Sequence, residues 1–81
     1  MNQLVRENSA GVVAQQHYDF LQPHLEAIRS ELMRQWLDTK PEAALRRENI
    51  WRELHCLKTL ETRITSIIAT GKMAKVELNK G

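Results

Sequence analysis

The chain has 81 residues, of which 42% are hydrophobic and 27% charged, and it carries a formal net charge of +2. A nucleotide-binding sheet fold or a barrel enzyme needs several strand and helix units of about thirty residues each, so this length excludes both. One small domain remains, whose core only just offsets the conformational entropy lost on folding. The single cysteine, Cys56, excludes an internal disulfide, which leaves self-association as the expected reinforcement.

Nothing in the chain predicts a membrane or secreted protein. The sequence contains no apolar run of about eighteen residues, which a membrane-spanning helix would need, and its polar start lacks the layout of a secretion signal. We therefore expect a cytoplasmic protein without a membrane partner.

The N-terminal segment predicts a flexible start followed by a short helix. We expect residues 1–8 to be flexible. Ser9 can cap a helix over residues 9–20 by accepting a hydrogen bond from an early backbone amide. The apolar residues of this helix that we expect to face the core are Val12, Val13 and Phe20.

Pro23 predicts a bend followed by a second helix over residues 23–38. Proline fits the first turn of a helix, and the residue before it resists helical angles, so the bend should lie at residues 20–22. Apolar residues then recur at three- and four-residue steps, which indicates one buried helix face. They are Leu21, Leu25, Ile28, Leu32 and Trp36.

A long helix is predicted over residues 40–70. Thr39 and Glu42 have the spacing of a capping box, and Pro41 is tolerated in a first turn. Gly71 is a typical residue for ending a helix, so residues 71–81 should form a tail. The apolar stripe of this helix comprises Leu45, Ile50, Trp51, Leu54, Leu57, Leu60, Ile64, Ile67 and Ile68.

These elements predict an all-α fold, an antiparallel helical hairpin with a short N-terminal helix, forming one domain over residues 1–81. The apolar stripe of the long helix extends beyond the reach of its partner, so either the N-terminal segment or a second chain should cover its end. We expect assembly into a homo-oligomer. The two tryptophans suit either the core or an interface. The candidate interface residues are Trp36, Trp51, Ile64, Ile67 and Ile68.

The residues that bind metals or perform catalysis in other proteins have unsuitable spacing here. His55 and Cys56 are adjacent and point about 100° apart on a helix, and Pro23 separates His17 from His24. We expect Cys56 to be a small buried apolar residue. No glycine-rich phosphate loop, nucleophile elbow or metalloprotease motif is present. We therefore expect no metal, no cofactor and no enzymatic activity.

Basic residues are concentrated in the second half of the chain. Residues 41–81 contain eight bases and five acids, whereas residues 1–40 contain four bases and five acids. Glutamates interrupt the basic residues, which does not favour a nucleic-acid face, although binding through the basic half is an alternative. The residues that we single out as candidate phosphate ligands are Arg46, Arg47 and Arg52.

Several motifs between residues 36 and 78 resemble a family of small phage-encoded proteins from head-assembly gene neighbourhoods. They are Trp36-Leu37-Asp38-Thr39-Lys40-Pro41, Arg47-Glu48-Asn49-Ile50-Trp51, Leu57, Leu60-Glu61 and Gly71-Lys72-Met73-Ala74. The resemblance implies a non-enzymatic phage or prophage protein that binds other proteins, as a minor virion or assembly component or as a modulator of a host protein. It would work in the cytoplasm of the bacterial host or in the virion.

The pair Arg47-Glu48 near the start of the long helix also resembles the helical-hairpin sponges with which phages sequester cyclic nucleotides. This likeness implies an alternative function, in which arginines from neighbouring chains clamp the phosphates of a small ligand to counter host immunity. The chain departs from that pattern because residues 57–63 lack the aromatic side chain that would stack on a base.

Overall fold

The computed structural model describes residues 2–80, which form two antiparallel helices joined by a short turn. Helix α1 spans Gln3–Leu37 and helix α2 spans Ala44–Lys80. Together they make a rod of 60 × 19 × 17 Å. Within residues 2–80 there is no strand. The predicted all-α helical hairpin is confirmed.

The two helices contact each other along a seam that repeats every seven residues. In α1 the buried or half-buried seam residues at this spacing are Leu4, Gly11, Tyr18, Leu25 and Leu32. In α2 they are Ile50, Leu57, Ile64, Gly71 and Leu78. A seven-residue period keeps one face toward the partner only if both helices wind around each other with a left-handed supercoil. The hairpin therefore has the seam pattern of a short antiparallel coiled coil.

The seam uses fewer of the predicted apolar residues than expected. Leu21 and Ile28 are 37% and 50% exposed, and Leu45 and Leu60 are 71% and 48% exposed. An apolar stripe on a straight helix is wider than a coiled-coil seam, so residues at its edges are left outside. The side chains that form the buried core are Leu25, Leu32, Ile50, Leu57, Ile68 and Ala74.

Helix α1 begins at Gln3 rather than at residue 9. Asn2 caps it, because its side-chain oxygen accepts a hydrogen bond of 2.8 Å from the amide of Leu4. The prediction that residues 1–8 are flexible and that Ser9 starts a helix is therefore wrong for residues 3–9. Met1 lies outside the described residues.

Helix α1 also continues through Pro23 without a break. Proline has no amide hydrogen, so the carbonyl of Asp19 loses its helical partner, at a cost of about 3 kcal/mol. Both residues are exposed, which lets water bind that carbonyl. Tyr18 and Leu25 meanwhile stay in the same seam on either side of the proline. The predicted bend at residues 20–22 and the separate helices 9–20 and 23–38 are wrong.

The turn between the helices differs from the predicted capping box. Thr39 lies after α1 rather than at the start of α2, and its hydroxyl donates a hydrogen bond of 2.6 Å to the carbonyl oxygen of Trp36. The amide of Ala43 donates to the carbonyl of Lys40 at 2.9 Å, and α2 begins at Ala44 instead of residue 40. Thr39 is used by the turn, so it is unable to cap α2.

Gly71 lies inside α2, which continues to Lys80. A methyl group added at Gly71 would lie 2.7 Å from the Cα of Gly11 and 2.9 Å from the carbonyl oxygen of Glu7. The glycine is therefore required by the close approach of the two backbones, and not as a helix terminator. The predicted helix end at residue 70 and tail at residues 71–81 are wrong, although Gly81 lies outside the described residues.

Candidate interaction surfaces

An arginine, a tryptophan and a threonine form a polar cluster that closes the turn end of the hairpin. The guanidinium carbon of Arg47 lies 5.1 Å from the ring centroid of half-buried Trp36, which is a cation–π contact. The Nε of Arg47 donates a 2.6 Å hydrogen bond to the Thr39 hydroxyl, and its Nη2 donates to the Thr39 carbonyl at 3.3 Å. Arg47 thus links the loop between the helices to the first helical turn of α2, and its role is structural.

The three candidate phosphate ligands do not converge within one chain. Successive residues on a helix are rotated by about 100°, so Arg46, Arg47 and Arg52 point in three directions that are more than about 90° apart. Arg47 is occupied at the turn, and Arg52 donates a 2.8 Å hydrogen bond to Glu48. A single chain therefore offers no arginine cluster for a phosphate, and a sponge would need arginines from several copies.

The five candidate interface residues have different positions. Ile68 is 8% exposed, and Ile64 and Trp36 are half-buried, so these three belong mainly to the contact between α1 and α2. Ile67 is 39% exposed and Trp51 57% exposed. Of the two roles that the sequence left open for the tryptophans, Trp36 has a packing role and Trp51 is available to a partner.

Trp51 presents a stacked pair of rings on the surface of α2. Its ring lies 5.3 Å from that of His55, centroid to centroid, with an angle of only 6° between the planes. The stack holds a large aromatic side chain in one orientation while more than half of it faces solvent. Such side chains often dominate the free energy of protein interfaces because they bury a large area at a low entropy cost.

The sequence predicts that three apolar residues in the first half of α1 face the core, and this prediction is wrong. Val12 and Val13 are 51% and 49% exposed, and Phe20 is 72% exposed. Phe20 contacts His24 of the next turn, with ring centroids 5.6 Å apart. Val13 and Phe20 lie on the side of α1 that faces away from the seam, whereas Val12 lies at the edge of the seam beside Gly11. Gly11 and Tyr18 are the residues with which this segment faces α2, and Val13 and Phe20 are each two residues, or about 200°, further around the helix.

One ion pair crosses between the helices in the middle of the rod. The guanidinium of Arg29 contacts both Glu26 on its own helix and Glu61 on α2. The side chains of Arg29 and Glu61 are 33% and 20% exposed, so the pair is partly shielded from water. It occupies seam positions that apolar residues would otherwise fill. Its geometry favours one register of α1 on α2, because a shifted register would leave the partly buried carboxylate of Glu61 without Arg29.

A second charged group lies on the exposed side of α1 near the turn. Arg34 donates hydrogen bonds to Glu31 at 2.6 and 3.0 Å and also pairs with Asp38 at 2.9 Å. The hydrogen bonds from Arg34, and secondarily from Gln35, lower the pKa of Glu31 from 4.5 to about 2. Glu31 therefore keeps its negative charge over the whole range in which proteins are normally studied.

Cys56 and the histidines do not form a metal site in the part of the chain that the structure describes. Cys56 is exposed, so the prediction that it is buried is wrong. No three histidine, cysteine or carboxylate side chains within residues 2–80 lie together in a way that would hold an ion. Neither described helix is apolar enough over the thickness of a bilayer to cross a membrane.

A shallow groove follows the close approach of the helices at the open end of the rod. It is lined by Asn8, Gly11, Val12, Gln15, Gln16, Ile68, Gly71, Lys72 and Lys75. The two glycines make the groove, because they remove the side chains that would otherwise fill it.

A scan against protein-family models, a search of curated proteins and a search of solved structures found no match to this chain.

Proposed function

We propose that the protein acts by binding other proteins and itself, without catalysing a reaction. The observation that carries this proposal is the amount of apolar surface that the rod leaves uncovered. Large apolar side chains that are more than half exposed include Val12, Phe20, Leu37, Leu45, Trp51, Met73 and Val76. Extended apolar surface on a small soluble domain is typical of interaction sites, since its burial supplies the free energy of association.

The sequence resemblance assigns this binding activity to a phage or prophage protein. On that basis the protein serves as a minor virion or assembly component or modulates a host protein, in the host cytoplasm or the virion. The two-helix rod suits such a role because both helices have an outer side available to partners. Trp51 is the natural anchor, since it is large, exposed and held in place by His55.

The proposal is tested by recovering partners with tagged protein from phage-infected bacteria. We expect the tagged chain to retain a stoichiometric protein partner and Trp51→Asp to lose it by at least tenfold, because a charge replaces the anchor. Ser66→Asp, which adds a charge at another exposed position of α2, should retain the partner. A chain that is monomeric and recovers no partner contradicts the proposal.

A ligand screen tests the sponge alternative in the same preparation. A cyclic dinucleotide or trinucleotide that binds tightly should stabilise the folded state by about 2.7 kcal/mol when present at a hundredfold excess over its Kd. We expect no stabilisation, because the three arginines do not converge within one chain and two of them are already paired, Arg47 with Thr39 and Arg52 with Glu48. A clear shift in melting temperature would favour the sponge over a protein-binding function.

A further inference from the structure

Helix α1 carries a second seven-residue repeat outside its seam with α2. The repeat, which we call the outer stripe, consists of Ala10, Val13, His17, Phe20, His24 and Ala27. Every member is exposed, and the steps between them alternate between three and four residues, as in the seam. None of the six is Lys, Arg, Asp or Glu. A stripe of this spacing, about 26 Å long, is the pattern against which another helix packs in a coiled coil.

The spacing of the outer stripe is the same in both directions, with steps of three, four, three, four and three residues. Positions 10, 13 and 17 lie as far before the midpoint between residues 18 and 19 as positions 27, 24 and 20 lie after it. When two copies of α1 pack antiparallel about this midpoint, each stripe residue meets another stripe residue. Closed dimers require such self-complementary surfaces, because the same patch must serve both subunits.

We propose that the outer stripe binds the outer stripe of a second copy of this chain, antiparallel, about a two-fold axis between residues 18 and 19. Ala10 then faces the partner subunit's Ala27, and Val13 faces the partner subunit's His24. Phe20 packs on the partner subunit's His17 near the axis. The small residues at the ends let the helices approach closely, and the aromatic residues fill the centre. This inference rests on the proposed function, and the partner that it adds is a second copy of the same chain.

Charges at the two ends of the stripe agree with this orientation. Arg6 and Glu31 continue the three- and four-residue spacing and are also equidistant from the midpoint. Antiparallel packing places Arg6 beside the partner subunit's Glu31, twice per dimer, whereas parallel packing places like charges together. Arg6 is exposed and has no acidic partner within residues 2–80. Complementary charges at the rim of an interface select the orientation and register of association.

Sedimentation equilibrium of the full chain tests the pairing. We expect a dimer at tens of micromolar for the unaltered protein, and at least a tenfold rise in the dissociation constant for Phe20→Asp. Leu37→Asp is the matched control, because Leu37 is 79% exposed on the same helix but outside the stripe. It should dimerise like the parent. Circular dichroism should show unchanged helicity for both variants, so that the comparison reports association alone.

A charge-reversal experiment tests the antiparallel orientation. Arg6→Glu leaves two facing acids at each end of the dimer, and Glu31→Arg leaves two facing bases, so each variant alone should associate more weakly than the parent. An equimolar mixture should recover association, because every facing pair is then one acid and one base. Single variants that associate as tightly as the parent, as parallel packing requires, or a mixture that associates no better than the separate variants, overturn the proposed orientation.

The outcomes separate this inference from the proposed function. A parent chain that sediments as a monomer, or a Phe20→Asp variant that dimerises normally, overturns self-pairing through the outer stripe. The Trp51-dependent partner can still be recovered in that case, which leaves the protein-binding function intact. Conversely, a stripe-dependent dimer that recovers no other protein supports self-pairing and limits the function to self-assembly.

Discussion

The two ends of the hairpin hold their helices together in different ways. At the turn end, Leu32 and Ile50 are buried between the helices, and Arg47 ties the turn to α2 through Trp36 and Thr39. At the open end the helices approach most closely where Gly11 and Gly71 meet backbone to backbone, and Ala74 is buried nearby.

The difference shows that a narrow two-helix core can be completed either by large side chains or by removing side chains. Large apolar residues gain free energy from the area that they bury. Glycines gain it by bringing two backbones into van der Waals contact, at a cost of up to about 1 kcal/mol each in helix propensity. The turn end should therefore be sensitive to the loss of atoms, and the open end to their addition.

The largest effect is expected from removing a large side chain at the turn end. Leu32→Ala deletes atoms from a position that is 6% exposed and should lower the free energy of unfolding by about 3 kcal/mol, within the range of about 2 to 5 for buried leucines. Leu37→Ala, the same change at a position that is 79% exposed, should lower it by less than about 0.5 kcal/mol. Urea unfolding of both variants measures the contrast. Equal effects would mean that the turn end has no packed core.

Adding a side chain at the open end should have the next largest effect. Gly71→Val places new atoms against the backbone of Gly11 and Glu7, which is unable to move aside as a flexible side chain would. We expect a loss of about 2 kcal/mol, since overpacking costs about 1 to 3 kcal/mol and the gain in helix propensity offsets part of it. Ala69→Val adds bulk at a neighbouring exposed position. It should change the free energy of unfolding by only a few tenths of the loss expected for Gly71→Val. A Gly71→Val protein of unchanged stability would refute the close helix contact.

Arg47, at the turn, should contribute less to the free energy of unfolding than the buried core residues. Arg47→Met keeps most of the side chain's apolar length but removes its charge and its bonds to Thr39, so the free energy of unfolding should fall by about 1.5 kcal/mol. Arg46→Met, at an exposed position beside it, serves as the control and should be almost neutral. If the two substitutions cost the same, Arg47 is an ordinary surface residue.

The smallest effect on stability is expected from the exposed ion pair between Arg34 and Glu31 near the turn. Arg34→Gln removes the main hydrogen-bond donor to Glu31, so the pKa of Glu31 should rise from about 2 toward 4.5. Because folding lowers this pKa, the stabilisation by the pair is present above pH 4.5 and is lost as the pH falls toward 2. Carboxyl-detected NMR titration measures both values. A Glu31 that titrates alike in both proteins would show that the pair does not persist in solution.

The helical hairpin could be predicted from the sequence, but much of the surface could not. The three- and four-residue spacing around Leu25 and Leu57 indicates helices directly, and the short connection near Pro41 requires them to be antiparallel. That spacing describes a wide apolar band, however, and both Leu21 and Ile68 fall within it. Which part of the band becomes the seam depends on the supercoil that two packed helices adopt, so exposed and buried members of the band look alike in the sequence.

The sequence by itself determined that the chain is helical, antiparallel and short of buried surface, because residue spacing and composition control these properties locally. The tertiary structure decided where the helices begin and end. Pro23 and Gly71 are local signals worth about 1 to 3 kcal/mol, and the seam that continues on either side of each outweighs them because its contacts accumulate over the length of the rod. The same continuity leaves Phe20 on the outside of the rod, where it is 72% exposed.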